Sequence, residues 1–211
     1  MKMLSGAQRY SLTDRRRPGS SRPARRLILL FALLISGSAY PPWFARGQSH
    51  EASGYEVKTA FLFNFAKFID WPPSSFANPQ FPFTICVLGL DPFGNVLDEA
   101  LQGKVIGDRP LALRRLKDKA EARRCQIVFV SSSESAHLAE ILVSLQGANV
   151  LLVGETNGFA ASGGTIEFTL EENHVRFSIN TDAVNRSGLR FSSKLLALAK
   201  IVRDQGPLKG E

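Results

Sequence analysis

Cysteine and histidine are scarce in this chain, which has two cysteines and three histidines in 211 residues. The histidines stand at 50, 137 and 174, with no two at ligand spacing, so a zinc-type site has no donor set. There is no Gly-x-Ser-x-Gly elbow after a strand and no phosphate-binding glycine loop. The glycines of LGLDPFG, residues 88–94, lack dinucleotide-fingerprint spacing and read as a turn. Internal repeats and runs long enough to span a bilayer, about 20 apolar residues, are also missing. Catalytic, metal and cofactor chemistry therefore have little to stand on, and no cofactor is expected.

The net charge of +7 suggests a phosphate-rich partner until it is located. Residues 1–39 hold eight of the 26 basic residues and one acidic residue, Asp14, leaving 18 of each sign for 40–211. The remainder is neutral and has no electrostatic pull toward nucleic acid. Within the leader, Arg22, Arg25 and Arg26 precede the apolar run Leu27 to Ile35 and the small residues Ser36-Gly37-Ser38-Ala39. That is the layout of a cleavable signal peptide, residues 1–39, cut after Ala39 or, second, after Gly47. An uncleaved anchor is the other reading, and Arg25-Arg26 leaves Sec or twin-arginine export open. Residues 40–53 read as a disordered linker, 54–204 as the folded domain and 205–211 as a disordered tail. In an exported protein the lone pair Cys86 and Cys125 reads as a disulfide, against two reduced buried thiols.

The domain alternates strand and helix. Strands are expected at Phe83–Gly89, Pro110–Leu116, Cys125–Ser131, Asn149–Gly154, Thr165–Leu170 and His174–Ile179. Helices are expected at Asp91–Leu101, capped by Asp91; at Asp118–Arg124; at Ser133–Leu145, capped by Ser132 or Ser133; and at Lys194–Val202. Asn180–Gly188 reads as a loop. Such alternation implies an α/β fold in three layers, a largely parallel sheet of five to six strands flanked by helices. The last two strands form an antiparallel hairpin at its edge, before a final helix. In a flavodoxin-like order the first and third α/β strands are neighbours, which brings the cysteines close. Ligands of such sheets sit where the carboxyl ends of the strands part. Here that crevice would be lined by Gly89, Asp91, Phe93, Ser131, Ser132, Gly154 and Glu155, giving a small-ligand sensor as one functional reading.

The stretch YEVKTAFLFNFAKFIDWPP, residues 55–73, is crowded with aromatics. On a helical wheel Val57, Phe61, Leu62, Phe65, Ala66, Phe68 and Ile69 share one arc, with Lys58 the only charge inside it. Glu56, Thr59, Lys67 and Asp70 lie opposite, and Phe63 falls among them. An aromatic on a polar face is either a partner anchor or covered by a neighbouring loop. Phe63, Lys67, and the apolar Val184 and Leu189 before the last helix make the candidate partner patch, although Val184 and Leu189 read equally as plugs at the end of the sheet. The basic segment Arg114, Arg115, Lys117, Lys119, Arg123 and Arg124 contains Asp118 and Glu121, so a solvated face competes with a docking surface.

Five blocks in order carry a resemblance: VKTAFLFNFAKFIDWP (57–72), ICVLGLDPFG (85–94), CQIVFVS (125–131), GFAASGGTIEF (158–168) and VRFSINTDAVNRSGLRFSSKLLALAKIV (175–202). Together they resemble the YfiR family. The resemblance implies a non-enzymatic periplasmic repressor, often a homodimer. It binds the periplasmic segment of a YfiN-type membrane diguanylate cyclase and is relieved by a YfiB-type outer-membrane lipoprotein. Cys86 and Cys125 match the family's shared pair. Where some members carry a second pair, this chain has Ala160 and Glu167.

Overall fold

The computed structural model describes the backbone of residues 45–205 and side chains from Gly54 to Gln205. The expected signal peptide and residues 206–211 of the expected tail lie outside the described residues. Helix α1 runs from Ala45 to Phe68, so helix occupies 45–53, where a disordered linker is expected.

The six expected strands are β2 (Phe83–Leu88), β4 (Arg109–Leu116), β5 (Ile127–Val130), β6 (Leu151–Gly154), β7 (Ile166–Glu171) and β8 (His174–Asn180). Two more complete an eight-stranded sheet: β3 (Val105–Ile106) and β10 (Lys200–Val202). The order is β10-β8-β7-β6-β5-β2-β4-β3. Pairing is parallel from β4 through β2, β5 and β6 to β7, and antiparallel within the β7–β8 hairpin. That hairpin turns on Glu172 and Asn173, both at positive φ, as a two-residue turn between right-twisted strands requires. A separate two-stranded ribbon joins β1 (Ile69–Asp70) to β9 (Arg190–Phe191).

Strand alternation supplies two cores. Ile85, Val87, Ile127, Phe129, Leu151 and Val153 point to the face covered by α1 and α2 (Asn95–Leu101), with Leu62, Phe65 and Leu97. Cys86, Leu88, Val128, Val130 and Leu152 point to the other face, onto Ala122 and α3 (Leu138–Ser144). Both faces are dry, as a parallel sheet requires, and the molecule is a three-layer α/β fold.

Three local expectations are corrected. The last helix, α5, covers only Ser193–Ala197, and Lys200–Val202 pairs in parallel with Ser178–Asn180. LLALAKIV is apolar enough for either state, and the open edge of β8 offers it a ladder of backbone partners. The hairpin is therefore one place inside the edge. The expected loop 180–188 contains α4 (Thr181–Ser187). Asn180 Oδ1 caps it by accepting from Asp182 N and Ala183 N, and Gly188 ends it at φ 69°. Segments 119–124 and 132–137 are 3-10 turns, tighter than the helices expected there.

Candidate functional site

The carboxyl ends of β2, β5 and β6 carry the residues expected to line a crevice, and Asp91, Phe93 and Glu155 among them have partners within the chain. Phe93 is buried, edge-on to Phe129 at 4.7 Å and to Tyr55 at 5.3 Å. Glu155 accepts from Lys58 Nζ at 2.6 Å and from the Tyr55 hydroxyl at 3.2 Å. Lys58 Nζ also lies 4.3 Å from the centroid of the Tyr55 ring. The middle of α1, at Tyr55 and Lys58, thus lies against the end of β6.

Asp91 does not cap α2, which begins at Asn95. Its Oδ1 accepts from Phe93 N at 2.8 Å, and its Oδ2 accepts from Arg115 Nε at 2.6 Å. Arg115 also donates to Asp98. Those bonds, to Asp98 and then Asp91, raise the guanidinium pKa, and Arg115 holds the Asp98 carboxyl below its usual range. Ser131, not Ser132 or Ser133, is the cap of its segment, accepting from Ser133 N, while Ser132 is exposed. Gly89 has φ 91°, and a Cβ there would lie 2.5 Å from Ser133 Oγ. Gly154 backs onto the Phe159 ring, 2.5 Å from an added Cβ.

The partner patch divides. Phe63 is half-buried on the side of α1 that faces α2, with Lys67 Nζ 5.5 Å and Lys104 Nζ 5.6 Å from its ring centroid. It lines a groove of about 350 Å³ with Glu56, Thr59, Ala60, Val96, Ala100 and Lys104. Neither Val184 nor Leu189 lines that groove. Val184 is half-buried against the main core, and Leu189 is 5% exposed inside it, so Leu189 has no side chain to offer a partner. For Leu189 the other reading holds, an apolar side chain that fills the core.

The wheel also misplaced its margins. Thr59, on the nominal polar side, is 2% exposed, whereas Val57 and Phe68 are more than 40% exposed. Thr59, Val96, Ala100 and Lys104 escaped sequence reading because α2 is what turns one side of α1 into a groove. Only the oddly placed Phe63 signalled it.

Cys86 and Cys125 form a disulfide with a Cα–Cα distance of 6.1 Å, linking β2 to the residue that ends the 119–124 turn. Ala160 and Glu167 are linked without sulfur: the Glu167 carboxylate accepts from Gly158 N at 3.0 Å and Ala160 N at 2.9 Å. The basic segment is largely neutralised. Arg114 pairs with Glu121, Arg115 with Asp91 and Asp98, and Lys119 with Glu140, while Arg123 donates to the carbonyls of Ser144 and Gln146. Among the described residues no group of three or more His, Cys, Asp or Glu could hold a metal, and no helix is long and apolar enough to cross a membrane.

These features define a cross-linked three-layer α/β domain with an aromatic groove on its helical face. The chain belongs to the YfiR/HmsC-like family, whose pattern it matches over residues 55–200. Among solved structures it is similar to a conserved domain protein from Vibrio cholerae O1 biovar El Tor, at 10% identity and TM-score 0.44, covering 56% of this chain and 54% of that one. It is also similar to an ABC domain in complex with L-Trp from Streptococcus pneumoniae, at 10% identity and TM-score 0.42, covering 56% and 55%. The chain spans about half the length of these solved proteins.

Proposed function

We propose that this protein restrains a YfiN-type inner-membrane diguanylate cyclase by binding its periplasmic segment, and that a YfiB-type outer-membrane lipoprotein relieves the restraint by capturing it. Lower cyclic-di-GMP synthesis is the output. Family membership supports the setting. The observation that carries the contact is Phe63. Leu62 and Phe65 on the same helix are fully buried, yet Phe63 stays half-exposed between two lysines. A few large side chains that become fully desolvated on binding supply most of the energy of protein interfaces, and flanking charges set orientation and association rate. At the strand ends Asp91, Phe93 and Glu155 already have partners within the chain, which supports regulation by touch over chemistry there.

The test is cyclic-di-GMP in cells exporting Phe63→Asp or Lys67→Glu, with Val184→Asp as a second point on the surface. Leu189 is left out because a buried aspartate would unfold the domain. Phe63→Asp should raise cyclic-di-GMP to the level of a strain lacking the protein. Unchanged output from a folded, exported Phe63→Asp/Lys67→Glu variant removes the patch. No change on deleting the protein removes the repressor reading itself.

A further inference from the structure

We infer that the groove between α1 and α2 is a binding site for a small apolar monocarboxylate. Its volume, about 350 Å³, falls within the range of small-molecule pockets, which begin at roughly 300 Å³. Ala60, Val96 and Ala100 form apolar walls and the Phe63 ring contributes a face, which suits a branched aliphatic or single aromatic group.

The polar groups are few and uncommitted. Thr59 is 2% exposed, and its Oγ1 has no hydrogen-bond partner among the described residues. A buried hydroxyl in that state costs free energy until something in the groove supplies a donor or acceptor. Lys67 and Lys104 flank Phe63, and neither has an ion-pair partner among the described residues, whereas Lys58 and Lys119 do. Glu56 also lines the groove. Lys104 lines the groove at its Phe63 end and Lys67 stands beside that ring outside the lining, whereas Glu56 lies two helical turns away, so the Phe63 end favours a single negative charge. The geometry therefore selects a molecule with an apolar body, one carboxylate toward Lys104, and a polar atom within reach of Thr59.

The groove includes Phe63, so such a ligand would compete with the partner segment. That regulatory consequence rests on the repressor reading, whereas ligand binding does not. The experiment titrates mandelate and 2-hydroxy-4-methylpentanoate into the purified protein, with 2-amino-1-phenylethanol and 1-phenyl-1,2-ethanediol as charge controls, followed by calorimetry and amide chemical shifts. Saturable binding of both acids is expected, with shifts centred on Thr59 to Phe63 and Val96 to Ala100. Lys104→Gln should weaken it about tenfold by removing a charge-assisted contact. Thr59→Val should weaken it several-fold, and Ala100→Trp should abolish it by filling the groove. Val96→Phe serves as a second blocking variant should Ala100→Trp not fold. The inference is overturned if the acids do not saturate, if amine or alcohol binds as well, or if the blocking variants bind like the parent. Absent binding with intact Phe63-dependent repression sinks this site alone; intact binding without any effect of the protein on cyclic-di-GMP sinks the repressor reading alone.

Discussion

Lys58 Nζ and the Glu155 carboxylate stand 2.6 Å apart with side chains only 16% and 10% exposed, and they tie the first helix to the carboxyl end of β6. Removing one partner strands the other charge in a poorly solvated place. Breaking a fully buried pair costs about 3–5 kcal/mol, and residual solvent here brings the expected loss for Lys58→Met to about 2 kcal/mol. Urea unfolding measures it. The Lys58→Met/Glu155→Gln double variant should recover most of the loss. If it is as unstable as the single variant, the pair is not what holds α1 in place.

The disulfide lies in the second core, with Cys86 and Cys125 essentially without exposure. It closes a loop of 39 residues, for which the chain-entropy model gives about 4 kcal/mol. A Cys86→Ala/Cys125→Ala variant should lose stability on that order. Because the sulfurs are covered, reduction of the folded protein should proceed only as the sheet opens, and labelling of the released thiols should accelerate with denaturant. Complete reduction in native buffer at a denaturant-independent rate would identify an accessible redox switch instead.

Phe159 lies between two glycines. A Cβ at Gly164 would stand 2.1 Å from its ring and one at Gly154 2.5 Å from it, and the ring is fully buried. Both glycines are there for close approach. Gly164→Ala should cost about 1–3 kcal/mol through overpacking. Adding Phe159→Leu to Gly164→Ala should return part of it, whereas Phe159→Leu alone should destabilise. Additive losses in this cycle would show that backbone conformation, rather than the ring, dictates the glycine.

How far the fold could be read beforehand follows from where its determinants lie. ICVL, IVFV and LLVG announced β2, β5 and β6 because strands buried on both faces are continuously apolar, and their order placed Cys86 near Cys125. The edge strand β10 was misread because its sequence suits helix equally and only the open side of β8 decides. Asn180 was passed over as a loop residue although it is buried, capping α4 with one end of its amide and donating to Ala160 O with the other. Phe63 was visible as an aromatic out of register with its helix. Thr59 and Lys104 were not, since the groove exists only once two helices far apart in sequence meet.

The edge strand also carries the clearest pH dependence. Asp204, just beyond β10, accepts from Arg186 Nη1 at 2.5 Å and from Asn180 Nδ2 at 2.7 Å. The Arg186 bond, followed by that from Asn180, holds the carboxyl below the usual aspartate value. A carboxyl whose folded pKa is depressed stabilises fully above its unfolded pKa, about 3.9, and that contribution is lost as pH falls through the lower folded value. Both side chains are more than one-third exposed, so solvent screening keeps the effect small and local. It should therefore appear at β10 before it appears in global unfolding. Exchange of the β10 amide that bonds to β8, corrected for intrinsic rate, should speed up between pH 5 and pH 3 in the parent. In Asp204→Asn it should be faster throughout and nearly flat with pH. Equal pH slopes in the two proteins would show that another carboxylate governs the strand.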